Sequence, residues 1–171
     1  LREGAVDFAV ASHPAEGEDM EARQLSEDNF YLVCRRGHPF ASKTGLKPRD
    51  LANHPFISLS RDSSVRQALE RAIGAANMQS VMQLEHLATV AGMVQAGLGV
   101  TVVPELTLFQ FTRPGLVVRP LKIPGLSRSI YVVKRRNRTL SVAAAALYDH
   151  MLAERTKIHD YLRMQLGAAA V

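Results

Sequence analysis

The sequence has a single cysteine, Cys34, among its 171 residues, and it has no tryptophan. One cysteine cannot form an intrachain disulfide or a cysteine-based metal cluster. The three residues before it, Tyr31–Val33, are typical of a β-strand, where a lone cysteine is usually a small buried hydrophobic residue. The sequence therefore favours a structural role for Cys34 over that of a catalytic thiol.

Long apolar runs and metal-binding motifs are also absent. No stretch approaches the roughly 18 consecutive apolar residues of a transmembrane helix. The first residues, LREGAVDFAV, contain only a short apolar run and are not typical of a signal peptide, so we expect them to lie inside a domain. No zinc site is predicted, because the six histidines are scattered along the chain and no zinc-binding motif contains them. They are His13, His38, His54, His86, His150 and His159.

The chain is basic, with 21 lysines and arginines against 16 aspartates and glutamates and a formal net charge of +5. The positive charge is densest at Lys134–Arg138. No aromatic residues interleave with this run and no helix-turn-helix signature surrounds it, so a nucleic-acid interface is not predicted. We interpret the run as a solvated loop, with contact to a phosphate or a partner as the alternative.

Two glycines in the stretch VAGMVQAGLGVTVVPE, Gly97 and Gly99, raise the possibility of a phosphate-binding loop. A dinucleotide-binding loop needs a strand, then glycines, then a helix whose first amides face the phosphate. Here a predicted helix, His86–Ala96, comes first and a β-branched strand ending at Pro104 follows. We therefore interpret Gly97 as the left-handed residue that ends the helix, and Gly99 as a tight turn into the strand.

Strands and helices alternate along the chain, which predicts an α/β protein with mostly parallel sheets. The predicted strands are Val6–Ala11, Asn29–Arg35, Phe56–Leu59, Ser80–Leu84, the segment ending at Pro104, Leu116–Leu121 and Ser129–Lys134. The predicted helices are Val65–Ala76, His86–Ala96, Glu105–Phe111 and Val142–Met164. Two long strands followed by basic residues, Asn29–Arg36 and Ser129–Arg136, are candidates for crossovers between two lobes.

Four motifs in register resemble the effector-binding domain of LysR-type transcriptional regulators, and together they cover nearly the whole chain. Leu1–Val10 is similar to the family's L-x-x-G-x-L-D start of a strand. Leu32–Cys34 with His38–Phe40 resembles a strand followed by His-Pro-Leu. Pro55–Ile57 fits the next strand, and Met93–Pro104 fits the pattern V-x-x-G-x-G-hydrophobic-x-x-x-P.

The resemblance implies a fold of the type II periplasmic-binding-protein kind, with two Rossmann-like lobes, two crossover strands and a small-molecule cleft. We expect residues 1–34 to form part of the first lobe, 35–130 the second lobe, and 131–171 the return to the first lobe with a C-terminal helix. The family's winged helix-turn-helix, its linker helix and the start of the first lobe are expected before Leu1. The first lobe is therefore expected to be incomplete at its N-terminus.

The resemblance also implies a function: a cytoplasmic sensor, not an enzyme, that binds a small anionic effector such as a carboxylate. It implies no cofactor and no membrane partner, and it implies DNA binding only through the N-terminal domain of the full-length regulator. Association as a homodimer or homotetramer is expected. Two alternatives stay open, a free-standing solute-binding protein of the same fold and an enzyme on the same architecture.

Open α/β sheets bind ligands beyond the carboxyl ends of their strands. Ser12 and Ser60 each follow such a strand, and both match pocket positions of the family. Arg61 can pair with an anion or point to solvent, His86 begins the next helix, and Thr101 follows the glycine pair. The alternative is that Ser60 and Ser63 only cap the helix that follows them.

Overall fold

The computed structural model of the chain describes residues 1–158, 160, 161 and 164. These residues form two compact units. The first unit contains Leu1–Asp28 and the chain from Arg128 through the last helix, and the second contains Asn29–Ser127. Among the described residues, no helix has the length and apolar character that a membrane crossing requires.

The structure has seven strands and four α-helices within the described residues. The strands are β1 (Phe8–Ala11), β2 (Met20–Arg35), β3 (Phe56–Leu59), β4 (Ser80–Leu84), β5 (Thr101–Pro104), β6 (Leu116–Pro120) and β7 (Ser127–Arg135). The helices are α1 (Pro48–Leu51), α2 (Ser64–Ile73), α3 (Leu87–Gln95) and α4 (Val142–Ala153). Short 3₁₀ helices cover Pro39–Ala41, Ala75–Asn77 and Glu105–Gln110. The predicted C-terminal helix is interrupted after Ala153, and His159 and residues 162–163 of its span lie outside the described residues.

The main sheet is antiparallel, so the prediction of mostly parallel sheets is wrong. Strand β1 pairs antiparallel with β7, and β2 pairs antiparallel with both β5 and β6. The connections explain the error, because no α-helix lies between β1 and β2 or between β6 and β7. Parallel strands need a crossover of a dozen or more residues, usually helical. Parallel pairing is seen between β3 and β4, which α2 connects, and at the bridge from Phe56 to Val100.

The core of the second unit is built from apolar residues of β2, β3 and β5 and the helices that cover them. Phe30, Leu32, Phe56 and Ile57 are among its largest fully buried side chains. Cys34 belongs to the same core and is fully buried, as the sequence predicts, and this burial raises the pKa of its thiol. The thiol is therefore held protonated inside the sheet.

The glycine stretch ends helix α3 as predicted. Gly97 has a φ of 83°, the Leu98 amide donates to the Met93 carbonyl at 3.1 Å, and the Gly97 amide donates to the Val94 carbonyl at 2.9 Å. These two bonds form a Schellman motif, in which a left-handed glycine turns the chain out of the helix. The polarity of this helix end excludes phosphate binding there, as the order of elements indicates.

The basic run Lys134–Arg138 is not simply a solvated loop. Its first two residues lie in β7, and the Lys134 ammonium is 3.6 Å from the Glu21 carboxylate. The Arg136 Nε donates to the Glu18 carbonyl at 3.1 Å, and the Arg135 Nη1 donates to the Arg2 carbonyl at 3.3 Å. These side chains tie the start of the first unit to β7.

A small ring cluster in the second unit gives its stability a pH dependence. The His38 ring accepts a hydrogen bond from the Phe40 amide and lies 5.1 Å from the His54 ring. Burial, His54 and Arg35 all hold the pKa of His38 below its ordinary value of 6.5. Neutral His38 therefore contributes stability that is present above that value and is lost as pH falls through the lowered pKa.

We expect acidification to destabilise the native chain more than a His38→Asn variant, whose amide still caps the turn but does not titrate. The measurement is urea unfolding at pH values from about 7.5 to about 5.5, a range that spans the ordinary histidine pKa. Equal acid sensitivity of the two chains would contradict this account of His38.

Candidate functional site at the carboxyl edge of strands β3 and β4

The carboxyl ends of β3 and β4 lie at one edge of the second unit's parallel strands. From Ile57 onward the two strands pair residue by residue, with Leu59 opposite Leu84, so both chains leave the sheet at the same edge. Ser60 and Arg61 follow β3, and His86 follows β4 after one intervening residue. Three of the five predicted site residues are therefore brought to one edge of one unit.

Helix α2 begins with Ser63, not Ser60, as its cap. The Ser63 Oγ accepts a hydrogen bond from the Arg66 amide at 3.1 Å. Ser60 contributes only its carbonyl, which accepts from the Ser63 amide at 3.0 Å. Ser60 is half-buried, and its hydroxyl makes no hydrogen bond within the described part of the chain. Of the two serines in the capping alternative, only Ser63 therefore caps the helix.

A buried arginine fixes the start of α2 against the two strands. The side chain of Arg66 is 7% exposed, and its Nε donates to the Glu70 carboxylate at 2.6 Å. Its Nη1 donates to the Ser58 hydroxyl on β3, which in turn is 2.8 Å from the Ser80 hydroxyl on β4. Sequence reasoning missed this network, although the spacing of Arg66 and Glu70, four residues apart, indicates a helical ion pair.

Arg61 and His86 are both exposed. His86 holds the cap position of α3 with an extended backbone, and its carbonyl accepts from the Thr89 and Val90 amides at 3.0 and 3.1 Å. Its ring makes no capping hydrogen bond. The Arg61 guanidinium makes no hydrogen bond or ion pair among the residues the structure describes. Both side chains are therefore unengaged beside the N-termini of α2 and α3.

The other two predicted residues lie in different surroundings. Thr101 is 1% exposed, and its hydroxyl donates to the Ile57 carbonyl at 2.8 Å, which binds β5 to β3. That bond already occupies the hydroxyl. Ser12 belongs to the first unit, follows β1, and its hydroxyl is hydrogen-bonded to the His13 ring at 3.0 Å.

The second unit also contains a cavity of about 480 Å³ away from these residues. It is lined by Asn29–Tyr31, Pro120–Pro124 and Leu126. None of the five predicted residues lines it. We favour the strand edge as the candidate site, because unengaged polar groups and two helix N-termini converge there.

Comparison with known proteins identifies the family. The family model described as the LysR substrate binding domain matches residues 1–156. The chain belongs to this family. The resemblance to LysR-type regulators predicted from the sequence is thus confirmed. Domains of this family bind ligands in transcriptional regulators and are not enzymes.

Curated relatives of this LysR domain are transcriptional regulators. YfeR of Shigella flexneri is 30% identical over 151 residues, which cover 87% of this chain and 49% of that protein. The activator LysR of Escherichia coli K12 is 33% identical over 158 residues, covering 91% of this chain and 50% of the relative. The chain therefore spans about half the length of the curated relatives it matches.

Solved structures of low identity show the same fold. OxyR of Corynebacterium glutamicum, with H₂O₂ bound, superposes with a TM-score of 0.80 at 24% identity, covering 100% of this chain and 54% of that one. The QuiR effector-binding domain with shikimate has a TM-score of 0.76 at 23% identity, covering 92% and 75%. The CcmR regulatory domain of Synechocystis with 2-PG has a TM-score of 0.76 at 21% identity, covering 89% and 74%. The predicted periplasmic-binding-protein-like α/β fold is confirmed at this level.

Proposed function

We propose that the chain is the sensor domain of a LysR-type regulator and that it binds a small anionic effector at the β3/β4 edge. The observation that carries the proposal is the Ser60 hydroxyl, which has no partner among the described residues and precedes the N-terminus of α2. Amides at a helix N-terminus and the helix dipole favour an anion there. Arg61 and His86 supply further donors at the same edge, and Arg61 can hold a carboxylate with two parallel hydrogen bonds.

Two observations from related structures support a small-molecule effector. QuiR and CcmR share the fold and hold shikimate and 2-PG, respectively. Shikimate is a carboxylate, the class of ligand that a serine hydroxyl and an arginine bind well. Thr101 is left out of the proposed site because it is buried and its hydroxyl donates to the Ile57 carbonyl.

The remaining parts of the proposal concern the full-length regulator. We propose that effector binding modulates DNA binding by a winged helix-turn-helix outside this chain, in the cytoplasm. We also propose that the regulator works as a homodimer or homotetramer, since closed symmetric dimers and tetramers are the commonest assemblies of soluble proteins.

Replacing Ser60 by alanine is expected to weaken effector binding about tenfold or more, since a hydrogen bond to a charged group contributes ~1.5–3 kcal/mol. The ligand is the small carboxylate that raises the melting temperature most in a screen of the native chain. The measurement is calorimetric titration of native and variant chains with that compound.

Ser63→Ala is the matched control, because Ser63 is the helix cap. Loss of this cap is expected to lower the free energy of unfolding by about 1 kcal/mol, whereas Ser60→Ala leaves it unchanged. Native affinity in Ser60→Ala together with a lowered melting temperature would assign Ser60 a structural role, and the proposed site would be misplaced.

A further inference from the structure

The positive charge of the chain is unevenly divided between its two units. Residues 29–127, which form the second unit, contain eleven lysines and arginines and five aspartates and glutamates, so their formal charge is +6. The whole chain has a formal charge of +5, so the other residues are close to neutral. The excess positive charge is therefore a property of the second unit.

Within the second unit, this charge is concentrated in two segments that the pairing of β2 with β6 brings together. Segments 35–50 and 113–122 contain eight basic residues and one acidic residue, Asp50. Asp50 is already paired with Lys43 at 3.0 Å, so the two segments contain almost no free counter-charge. The eight basic residues are Arg35, Arg36, Lys43, Lys47, Arg49, Arg113, Arg119 and Lys122.

Three of these arginines lie at one end of the β2–β6 pair. Arg35 is opposite Leu116 in the pairing of the two strands, and the Leu116 amide donates to the Arg113 carbonyl at 3.2 Å. The Arg36 amide donates to the Gly115 carbonyl at 2.7 Å. Backbone hydrogen bonds thus hold the three residues together, and we call Arg35, Arg36 and Arg113 the basic tip.

The side chains of the basic tip have no counter-ion within the described part of the chain. All three residues are exposed, and none of their guanidinium groups makes a hydrogen bond or an ion pair with a described residue. The basic run Lys134–Arg138 differs, because Lys134 is close to Glu21 and Arg136 is bonded to the Glu18 carbonyl. Like charges held at one place repel one another, and a bound anion relieves that repulsion.

The surroundings of the basic tip fit phosphates better than a protein partner. Residues 35–37 and 112–115 contain, apart from the three arginines, only glycine, threonine and proline. Protein interfaces have an apolar centre with aromatic anchors, which these two turns do not offer. Arginines at the surface of a duplex instead bind phosphate oxygens. The curated relatives are transcriptional regulators, so duplex DNA is the phosphate polymer that this surface would meet.

We propose that the basic tip is a secondary DNA contact, in which Arg35, Arg36 and Arg113 bind phosphates of the duplex without reading its base sequence. Each guanidinium donates two parallel hydrogen bonds to a phosphate, and each contact releases a condensed counterion from the DNA. The contact lies in this chain, in addition to the DNA-binding domain proposed outside it. It does not depend on the effector site at the β3/β4 edge.

The test is the binding of the full chain to a labelled duplex of about 20 base pairs and scrambled sequence, followed by fluorescence anisotropy at about 50, 100 and 200 mM salt. Three phosphate contacts predict a slope of about −2.7 in a plot of log affinity against log salt. The triple variant Arg35→Gln, Arg36→Gln, Arg113→Gln is expected to weaken binding about tenfold or more at the lowest salt and to remove most of the slope.

The charge-matched control is the triple variant Arg71→Gln, Arg138→Gln, Arg155→Gln. It removes the same charge from exposed positions on α2 and in the first unit. Exposed charges farther than a Debye length from the contact are largely screened, so the control is expected to weaken binding less than about threefold.

A smaller variant guards against a loss of folding in the first triple variant. The Arg35 guanidinium packs on Gly97, where an added β-carbon would lie 3.0 Å from Nη1. The double variant Arg36→Gln, Arg113→Gln leaves this packing intact and removes two exposed charges. It is expected to keep the native melting temperature and to lower the slope by about 1.8, the value for two phosphate contacts.

Equal losses of affinity in the basic-tip variants and in the control would show an effect of net charge alone and would overturn the proposal. Absence of salt-dependent duplex binding by the native chain also overturns it. Poly-L-glutamate tests for an acidic protein surface as the partner. Competition by poly-L-glutamate as strong as that of unlabelled duplex, at equal charge, overturns the assignment to DNA, whereas weak competition with losses confined to the basic-tip variants supports it.

Discussion

Replacing Asp28 by alanine is expected to lower the free energy of unfolding by about 3–5 kcal/mol, because it removes one partner of a buried ion pair. The Asp28 side chain is fully buried, and Arg128 donates to its Oδ2 through Nε at 3.0 Å and Nη2 at 2.9 Å. The Arg128 side chain is itself only 13% exposed, so water replaces the lost carboxylate poorly. The pair lies where the chain leaves the first unit and where it returns. Urea unfolding followed by circular dichroism gives the difference.

Two comparisons separate this effect from general sensitivity to charge removal. Glu154→Ala breaks an exposed pair with Lys157 at 2.8 Å and is expected to leave the unfolding midpoint almost unchanged. The double variant Asp28→Leu, Arg128→Met removes both buried charges and is expected to recover much of the loss. A cost for Asp28→Ala no larger than that of Glu154→Ala would contradict the role of the pair.

Replacing Gly99 by alanine is expected to cost about 1–3 kcal/mol or more, since the added methyl overpacks a rigid site. A β-carbon at Gly99 would lie 2.5 Å from the Pro55 carbonyl oxygen and 3.0 Å from its carbon. That carbonyl accepts a hydrogen bond from the Val100 amide at 2.9 Å, so it cannot move away without breaking the link. Thermal and urea unfolding of the variant measure the cost.

The matched control is Gly92→Ala, seven residues earlier in the same stretch. Gly92 lies within α3, and a β-carbon there meets no atom within 4 Å. Alanine in a helix interior is better than glycine by up to about 1 kcal/mol, so this variant is expected to be more stable than the native chain. Equal stability of Gly99→Ala and the native chain would show that a β-carbon at position 99 does not clash with the Pro55 carbonyl.

Local signals in the sequence predicted individual elements well, and pairing direction poorly. The bounds of β3 and β4 match the prediction, and Gly97 ends α3 as its position indicates. The first half of β2 was not predicted, because the charged residues of Met20–Asp28 are of types that are uncommon in strands. The segment nevertheless pairs within the main sheet. Direction depends on connections and distant partners, which alternation of elements along the chain does not specify.

The sequence predicts the candidate site only to the extent that it predicts where the strands end. A serine after β3 and a histidine after β4 follow directly from strand and helix boundaries. The choice of Ser63 over Ser60 as the cap depends on hydrogen-bond geometry, which two nearby serines do not reveal. The buried Arg66 was missed because arginine is usually exposed, and its burial depends on two serines and a glutamate brought together by the fold.

The most direct test of the proposed effector site is an amide chemical-shift titration of the native chain with a panel of small carboxylates and phosphate esters, shikimate included. We expect at least one member to bind and to shift the amides of residues 60–64 and 85–87, and we expect Ser60→Ala to reduce those shifts. A panel member that binds tightly while these amides stay unchanged, or the failure of every anion to bind, would contradict the proposed site.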